Sequence, residues 1–404
     1  MNACGLIVEY NPFHNGHLYH LREAKKASGA DCMIAVMSGS FLQRGEPAII
    51  DKFYRTRAAL QTGVDLVAEL PYPYAVQSSD LFAKGAVHTL NELGTASICF
   101  GSESGDITHF ITGYQTFKAK ELDYKKILHT ELKKGLAFPE ASRHAYQKIG
   151  LDASLGIDLT KPNNILGYSY VRTILEDHLP IEPLTIKRTR SGYHDQTITS
   201  AIASATSIRK EIAAAGEITG KAQKAIPDET FQQLLAYKEL ASSWHMWENY
   251  FPLLHYRVMT MEANELASIH GVDEGLEHRI KHTAKIAESF QNWVEAIKTK
   301  RYTWTRIQRM FVHILTNTSK TAVRQATASR SVPYVRILGM TETGQNYLNQ
   351  VKKQLNVPLL SQLTRSIHPV LALEEKASHA YYSILSSSER VQLHNQELSP
   401  PVMV

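Results

Sequence analysis

Ala3-Cys4-Gly5-Leu6-Ile7-Val8-Glu9-Tyr10-Asn11-Pro12-Phe13-His14-Asn15-Gly16-His17 is the stretch on which the fold turns. Its first half is a short apolar run of the kind that forms a strand buried on both faces. Asn11-Pro12-Phe13 then breaks the run, because proline cannot continue a ladder and restricts the residue before it. From His17 onward Leu18, Leu21 and Ala24/Ala27 recur on one helical face. A buried strand, a loop and an amphipathic helix make the opening unit of a parallel α/β sheet.

The same alternation repeats outward. Cys32 to Met37 reads as a second strand, followed by a Gly-rich loop from Ser38 to Pro47 and a helix from about Asp51 to Thr62. Asp65 to Leu70 is a third strand, stopped by Pro71 and Pro73. Residues 79–93 read as helix, Ala96 to Phe100 as a fourth strand ending at Gly101, 105–177 as mostly helix, and Pro183 to Lys187 as a fifth strand. Short buried strands between helices predict a doubly wound, mainly parallel sheet over residues 1–230, with ligands bound beyond the carboxyl ends of the strands. From about 235 the periods become helical (Leu253-Leu254, Tyr256, Val258-Met259; Ile307, Met310-Phe311, Ile314-Leu315) and no strand alternation stands out. Residues 231–404 are therefore expected to form a mainly α-helical second domain, with Ser399 to Val404 as a loose tail.

Composition narrows the class. In 404 residues, 43% hydrophobic and 21% charged is an ordinary globular balance. No apolar run approaches the roughly 20 residues that span a bilayer, so no membrane partner is expected. Met1 to Val8 lacks the basic start and apolar stretch of a secretory signal. Cys4, Cys32 and Cys99 lie in apolar runs without metal-ligand spacing, which predicts buried reduced thiols, a cytoplasmic protein and no protein-bound metal.

The chemistry concentrates at the loop that opens the first helix. A helix N-terminus has unpaired amides and a positive dipole end, so it suits a phosphate. Gly16 lets the backbone approach a nucleotide closely. His14 and His17, framing that glycine, can donate hydrogen bonds to phosphate oxygens as charge builds on the α-phosphorus; one such donor contributes roughly 3–4 kcal/mol at a transition state. A second constellation is Ile202-Ala203-Ser204-Ala205-Thr206-Ser207-Ile208-Arg209. Ser204, Thr206 and Ser207 can cap a helix and hold phosphate oxygens, and Arg209 adds a cation for the β- and γ-phosphates. Gly101 can let a base or ribose lie against the backbone, Asn163 offers donor and acceptor to an adenine edge or a ribose, and Arg188, in Ile186-Lys187-Arg188-Thr189-Arg190, can reach a phosphate.

His14-Asn15-Gly16-His17 resembles the HxGH motif of the nucleotidylyltransferase superfamily, and Ser204 to Arg209 resembles that superfamily's late ISSTxIR motif, with alanines where small hydroxyl residues are common. The resemblance implies a doubly wound α/β fold and in-line attack at the α-phosphorus with pyrophosphate as product. Glu9 to His17, the Met37 to Ala48 loop and Lys161-Pro162-Asn163-Asn164-Ile165-Leu166-Gly167 together resemble the bacterial tRNA(Met) cytidine acetate ligases over essentially the whole chain. That family activates acetate with ATP to acetyl-adenylate and acetylates N4 of the wobble cytidine of elongator tRNA(Met). The resemblance implies ATP contacts at Ile7, Val8, Glu9, Tyr10, Asn11, Pro12, Phe13, His14, Asn15, Gly16, His17, Leu18, Tyr19 and His20, and at Gly101, Asn163 and Arg188. His14, His17 and Arg209 are the expected catalytic residues, and Mg²⁺ is expected to arrive on the triphosphate without a dedicated ligand motif. No role for the Met37 to Ala48 loop, and no general base, follows from the residues.

One further pattern bears on the acceptor. Between Glu295 and Glu342 there is no carboxylate, while Lys298, Lys300, Arg301, Arg306, Arg309, Lys320, Arg324, Arg330 and Arg336 are interleaved with Tyr302, Trp304, Phe311 and Tyr334. In a chain of 44 basic and 39 acidic residues this predicts a phosphate-binding surface, with Arg301, Arg306, Arg309, Lys320 and Arg324 as its candidates. The competing readings are a small-molecule adenylyltransferase of cofactor biosynthesis, which leaves the basic helical region idle, and an RNA-binding protein with a nucleotide pocket and no turnover, which leaves the paired histidines idle.

Overall fold

Side chains alternate across the central strands, and that alternation builds two cores. Ile34, Val36, Leu66, Ala68, Ile98 and Phe100 face one side; Leu6, Val8, Met33, Ala35, Val67 and Cys99 face the other. With both faces apolar, helices must cover both. The computed structural model describes residues 1–151, 156–188, 203–363 and 368–404; the expectations placed on Thr189, Arg190 and Ile202 lie outside the described residues.

The sheet runs β5-β4-β1-β2-β3-β6-β7, with β1 Ala3–Val8, β2 Cys32–Ser38, β3 Leu66–Leu70, β4 Ser97–Ser102, β5 Glu182–Lys187, β6 Val335–Met340 and β7 Leu359–Leu360; an eighth strand, β8 Val402–Met403, pairs with β6. β1 through β5 are mutually parallel. From β1 the chain winds one way to β2 and β3, then crosses back to place β4 on the other side of β1. The topological switch point therefore lies between β1 and β4, at the end of the strand that carries the His14 loop.

The half after residue 235 departs from expectation. It is mainly helical, but it contributes β6, antiparallel to β3, and the tail is no loose end: Val402 and Met403 pair with Gly339 and Met340. β6 escaped notice because Val335-Arg336-Ile337-Leu338-Gly339-Met340 is buried throughout, and a short apolar run without alternation carries no period. Its arginine also argued against burial. Arg336 is nonetheless about 1% exposed, because Glu69 of β3 and Glu397 lie 2.8 Å from its guanidinium, and Lys52 lies 2.6 Å from Glu69 and 3.0 Å from Glu397. Burial alone would raise the Glu397 carboxyl, but Lys52 and Arg336 hold it below its ordinary range. Removing one partner from such a set leaves an unpaired buried charge and costs roughly 3–5 kcal/mol. This network ties the C-terminal end to the sheet.

Candidate active site

A cleft of ≈ 270 Å³ opens at the switch point. The ends of β1 (Ile7, Val8), β4 (Phe100, Gly101) and β5 (Ile186, Lys187) line it, with Glu9, Tyr10, Asn11, His14, Gly16, His17, Tyr19, His20, Asn163, Arg188, Ser204, Thr206 and Arg209. The expected residues Pro12, Phe13, Asn15 and Leu18 do not line it. Phe13 is buried against Tyr10 with ring centroids 4.5 Å apart, and Asn15 ties the loop to Ala225 O and Lys224 O, each at 3.0 Å. Ser207 is buried as well; its hydroxyl donates to Ser204 O, while its N–H donates to Ser204 Oγ at 3.1 Å. Ser204 and Thr206 are thus the hydroxyl residues of that motif that reach the cleft.

The helix Asn15–Ser28 begins differently from the simple anion site expected of it. His14 is its N-cap, and the imidazole Nδ1 accepts the Gly16 N–H at 3.0 Å; His17 Nδ1 accepts the His14 N–H at 3.3 Å. The N–H groups of His17 and Leu18 go to His14 O, and that of Asn15 to Ala225 O. The first-turn amides are consumed, so donation to a phosphate passes from backbone to side chains. Because both Nδ1 atoms accept, the proton of each neutral ring must sit on Nε2. The rings stack with centroids 3.7 Å apart.

Neutrality follows from the surroundings. Burial, then the charges of Arg188 and Arg209, lower His14 to about 3. Burial, then His14 and Arg188, hold His17 well below its ordinary value, and burial with Arg188 brings His20 to about 4. The site therefore presents fixed, uncharged N–H donors beside guanidinium groups.

Arg209 enters from the helix Ala205–Ala215. Its guanidinium donates to Asn11 O at 2.8 Å and pairs with Glu46 at 2.5 Å. Glu46, Gln43 and Arg44 are cleft residues that sequence reasoning did not assign; they belong to the Met37 to Ala48 loop, whose match was noticed without a role. The fully buried Arg55 shapes this loop by donating to the carbonyls of Glu9, Ser38, Gly39 and Ile50. Asn11 Oδ1 accepts the Ile49 N–H at 2.7 Å, and Trp247 Nε1–H donates to Gly45 O at 2.8 Å. The loop is thus clamped between the histidine turn and the helical half. Glu9, raised by burial, accepts the Gln43 N–H at 2.7 Å.

The basic candidates lie elsewhere, and their surroundings are less cationic than the sequence suggested. Asp273 sits 3.6 Å from Arg306 and 2.9 Å from Lys320, and Glu274 pairs with Arg301. Arg309 is partly buried and points toward Gln43 O; burial and the charge of Arg306 lower it to about 10. Arg336, Phe311 and Tyr334 are buried, whereas Arg324 is exposed. Acids distant in sequence enter the carboxylate-free stretch.

Comparison with known proteins fixes the class first. The profile of the family described as HIGH Nucleotidyl Transferase matches residues 1–397, so the chain belongs to that family. Relatives narrow it to a branch. The chain is 52% identical over 404 residues to the tRNA(Met) cytidine acetate ligase of Oceanobacillus iheyensis, covering 100% of each, and 47% identical to that of Bacillus subtilis, covering 98% of this chain and 96% of the relative. Two crystal structures of Thermotoga maritima TmcAL superpose over 100% of both chains: an apo form with TM-score 0.92 at 33% identity, and one bound with alpha-thio ATP with TM-score 0.89 at 32% identity. It is a member of the tRNA(Met) cytidine acetate ligase family.

Among the described residues no helix is long and apolar enough to cross a membrane, and no cluster of His, Cys, Asp or Glu could hold a metal ion. Cys4, Cys32 and Cys99 are free and buried, as expected.

Proposed function

We propose that the chain activates acetate with ATP and transfers the acetyl group to N4 of the wobble cytidine of elongator tRNA(Met). The observation that carries this is the pair of neutral imidazoles, each held with its proton on Nε2, in a cleft that Arg188 and Arg209 also line. An acetate oxygen attacks the α-phosphorus and pyrophosphate leaves, giving acetyl-adenylate. The cytosine amine then attacks the acetyl carbonyl, AMP leaves, and the amine loses a proton. Acetate and ATP repel each other, so the site must neutralise charge and align the reactants. His14 and His17 Nε2–H donate to α-phosphate oxygens as negative charge grows there, with no proton transfer needed. Arg209 exchanges Glu46 for β- and γ-phosphate oxygens, while Ser204 and Thr206 hold the same group. Mg²⁺ would come with the triphosphate and supply further charge neutralisation.

Residues 231–404 are the proposed tRNA-binding domain, with Arg301, Arg306, Lys320 and Arg324 on its surface and Arg309 packed toward the loop. The anticodon loop is single-stranded, so presenting its base costs little. A cytoplasmic location is part of this reading and fits the three unpaired thiols. The test is exchange of labelled pyrophosphate into ATP. Exchange that requires acetate supports the ligase; exchange that requires a phosphorylated small acceptor instead points to a cofactor adenylyltransferase.

A further inference from the structure

Asn163 reaches the cleft from the first turn of the helix Pro162–Glu176, and Leu166 and Tyr170 line the cleft with it. Their spacing puts all three on one helical face, and Phe100 adds to that wall. This is the apolar part of the cleft, suited to a nucleoside, whereas His14, Ser204 and Arg209 form its polar part.

A carboxamide has two faces: its oxygen accepts and its nitrogen donates. Glu103, in the turn after β4, decides which one the nucleoside meets. Glu103 Oε1 accepts the Asn163 Nδ2–H at 2.7 Å, and Oε2 accepts the backbone N–H of Asn164 at 2.9 Å. A carboxylate offers acceptors only, so the Asn163 nitrogen must turn toward it and Oδ1 is left for the cleft. Glu103 is itself pinned. The N–H groups of Glu103 and Ser104 donate to Asn164 Oδ1 at 3.0 and 3.2 Å, and Asn164 Nδ2–H donates to Asp158 O at 3.0 Å. Capping the helix would need only the Asn164 contact; the second oxygen orients the cleft-lining amide.

We propose that Glu103 is a positioning residue for nucleotide specificity, holding Asn163 as an acceptor that selects the 6-amine of adenine. This rests on the cleft being the ATP site. Inosine triphosphate, which carries an oxygen in place of the amine, meets Asn163 Oδ1 with an acceptor and is rejected.

The experiment is Glu103→Gln in the full-length protein. Its Oε1 stays with the immobile Asn164 N–H, so its NH₂ faces Asn163, whose carboxamide turns over and presents NH₂ to the nucleoside. ATP, ITP, 2′-deoxy-ATP and 3′-deoxy-ATP are compared by direct titration and by kcat/KM in acetate-dependent exchange. The preference for ATP over ITP should fall about tenfold or more, the scale of one mispaired buried hydrogen bond. Adding Asn163→Asp to Glu103→Gln should restore it, since Asp presents acceptors on both sides. Asn163→Asp beside the native Glu103 should not, because two carboxylates then face each other. Loss of discrimination against a deoxy-ATP but not against ITP overturns the proposal, because a hydroxyl can donate or accept and does not sense which way the amide faces. Should Glu103→Gln fail to fold, Asn163→Leu at its partly exposed position reads out the same loss. Unchanged ratios in a variant that still binds ATP overturn the proposal and leave the ATP site standing; a wild-type protein that binds no ATP overturns both.

Discussion

The histidine turn and the carboxylate-free basic stretch both stand out in the sequence, and the structure treats them in opposite ways. At the turn, Gly16 N–H and His14 N–H bond to the rings of residues two and three positions away, so neighbours in the chain fix the chemistry. In the basic stretch, Arg306 and Lys320 meet Asp273, Arg301 meets Glu274, and Arg336 meets Glu69 and Glu397. A pattern whose partners are local survives folding; a charge count is rewritten by whatever the fold brings beside it.

The largest effect expected is at the turn. His17→Ala should lower acetate-dependent exchange by about 10²–10³-fold, the cost of one donor aimed at developing charge, with tRNA affinity nearly unchanged. Exchange kinetics beside a filter-binding titration checks both halves; parallel loss would join the two regions that the account separates.

Next comes the pH dependence that the buried rings impose. His14 takes up its proton near pH 6.5 in the unfolded chain but only near about 3 in the folded one. The unfolded state therefore binds more protons below pH 6.5. His14 accordingly lowers stability as pH falls through that value, by up to about 1.4 kcal/mol per pH unit. His14→Asn keeps a capping side chain without the titration. Urea unfolding between pH 6.5 and 5 should show a shallower fall for the variant; equal slopes would mean that His14 is charged in the folded state.

Charge reversal of the basic region should act more weakly. Arg306→Glu with Lys320→Glu should raise the dissociation constant for tRNA(Met) by about tenfold at low salt and spare exchange. The smallest effect has the opposite sign. Asp273→Asn releases Arg306 and Lys320 from their partner, so it should tighten tRNA binding a few-fold, by an amount that shrinks with added salt. Weaker binding in Asp273→Asn would show that the pairs position the cations.

The same contrast explains what could be read without a structure. β1 to β5, and many of the residues that line the cleft, were legible because strand runs, breaks and the His14-x-Gly16-His17 spacing are local. β6 was not, since an arginine inside a short apolar run becomes intelligible only beside Glu69 and Glu397. The free helix amides were misjudged because nothing in the residue types says that the imidazoles themselves cap the helix. Gln43, Arg44 and Glu46 could be quoted as a motif but not placed, because their position depends on Arg55, Trp247 and Asn11 acting from three separate segments.

The most direct test is the ¹⁵N spectrum of the His14 and His17 rings at pH 7, with and without a non-hydrolysable ATP analogue. Both rings should be neutral with the proton on Nε2, and the Nε2 signals should move when the nucleotide binds. Imidazolium rings, protons on Nδ1, or signals indifferent to saturating nucleotide would contradict the account.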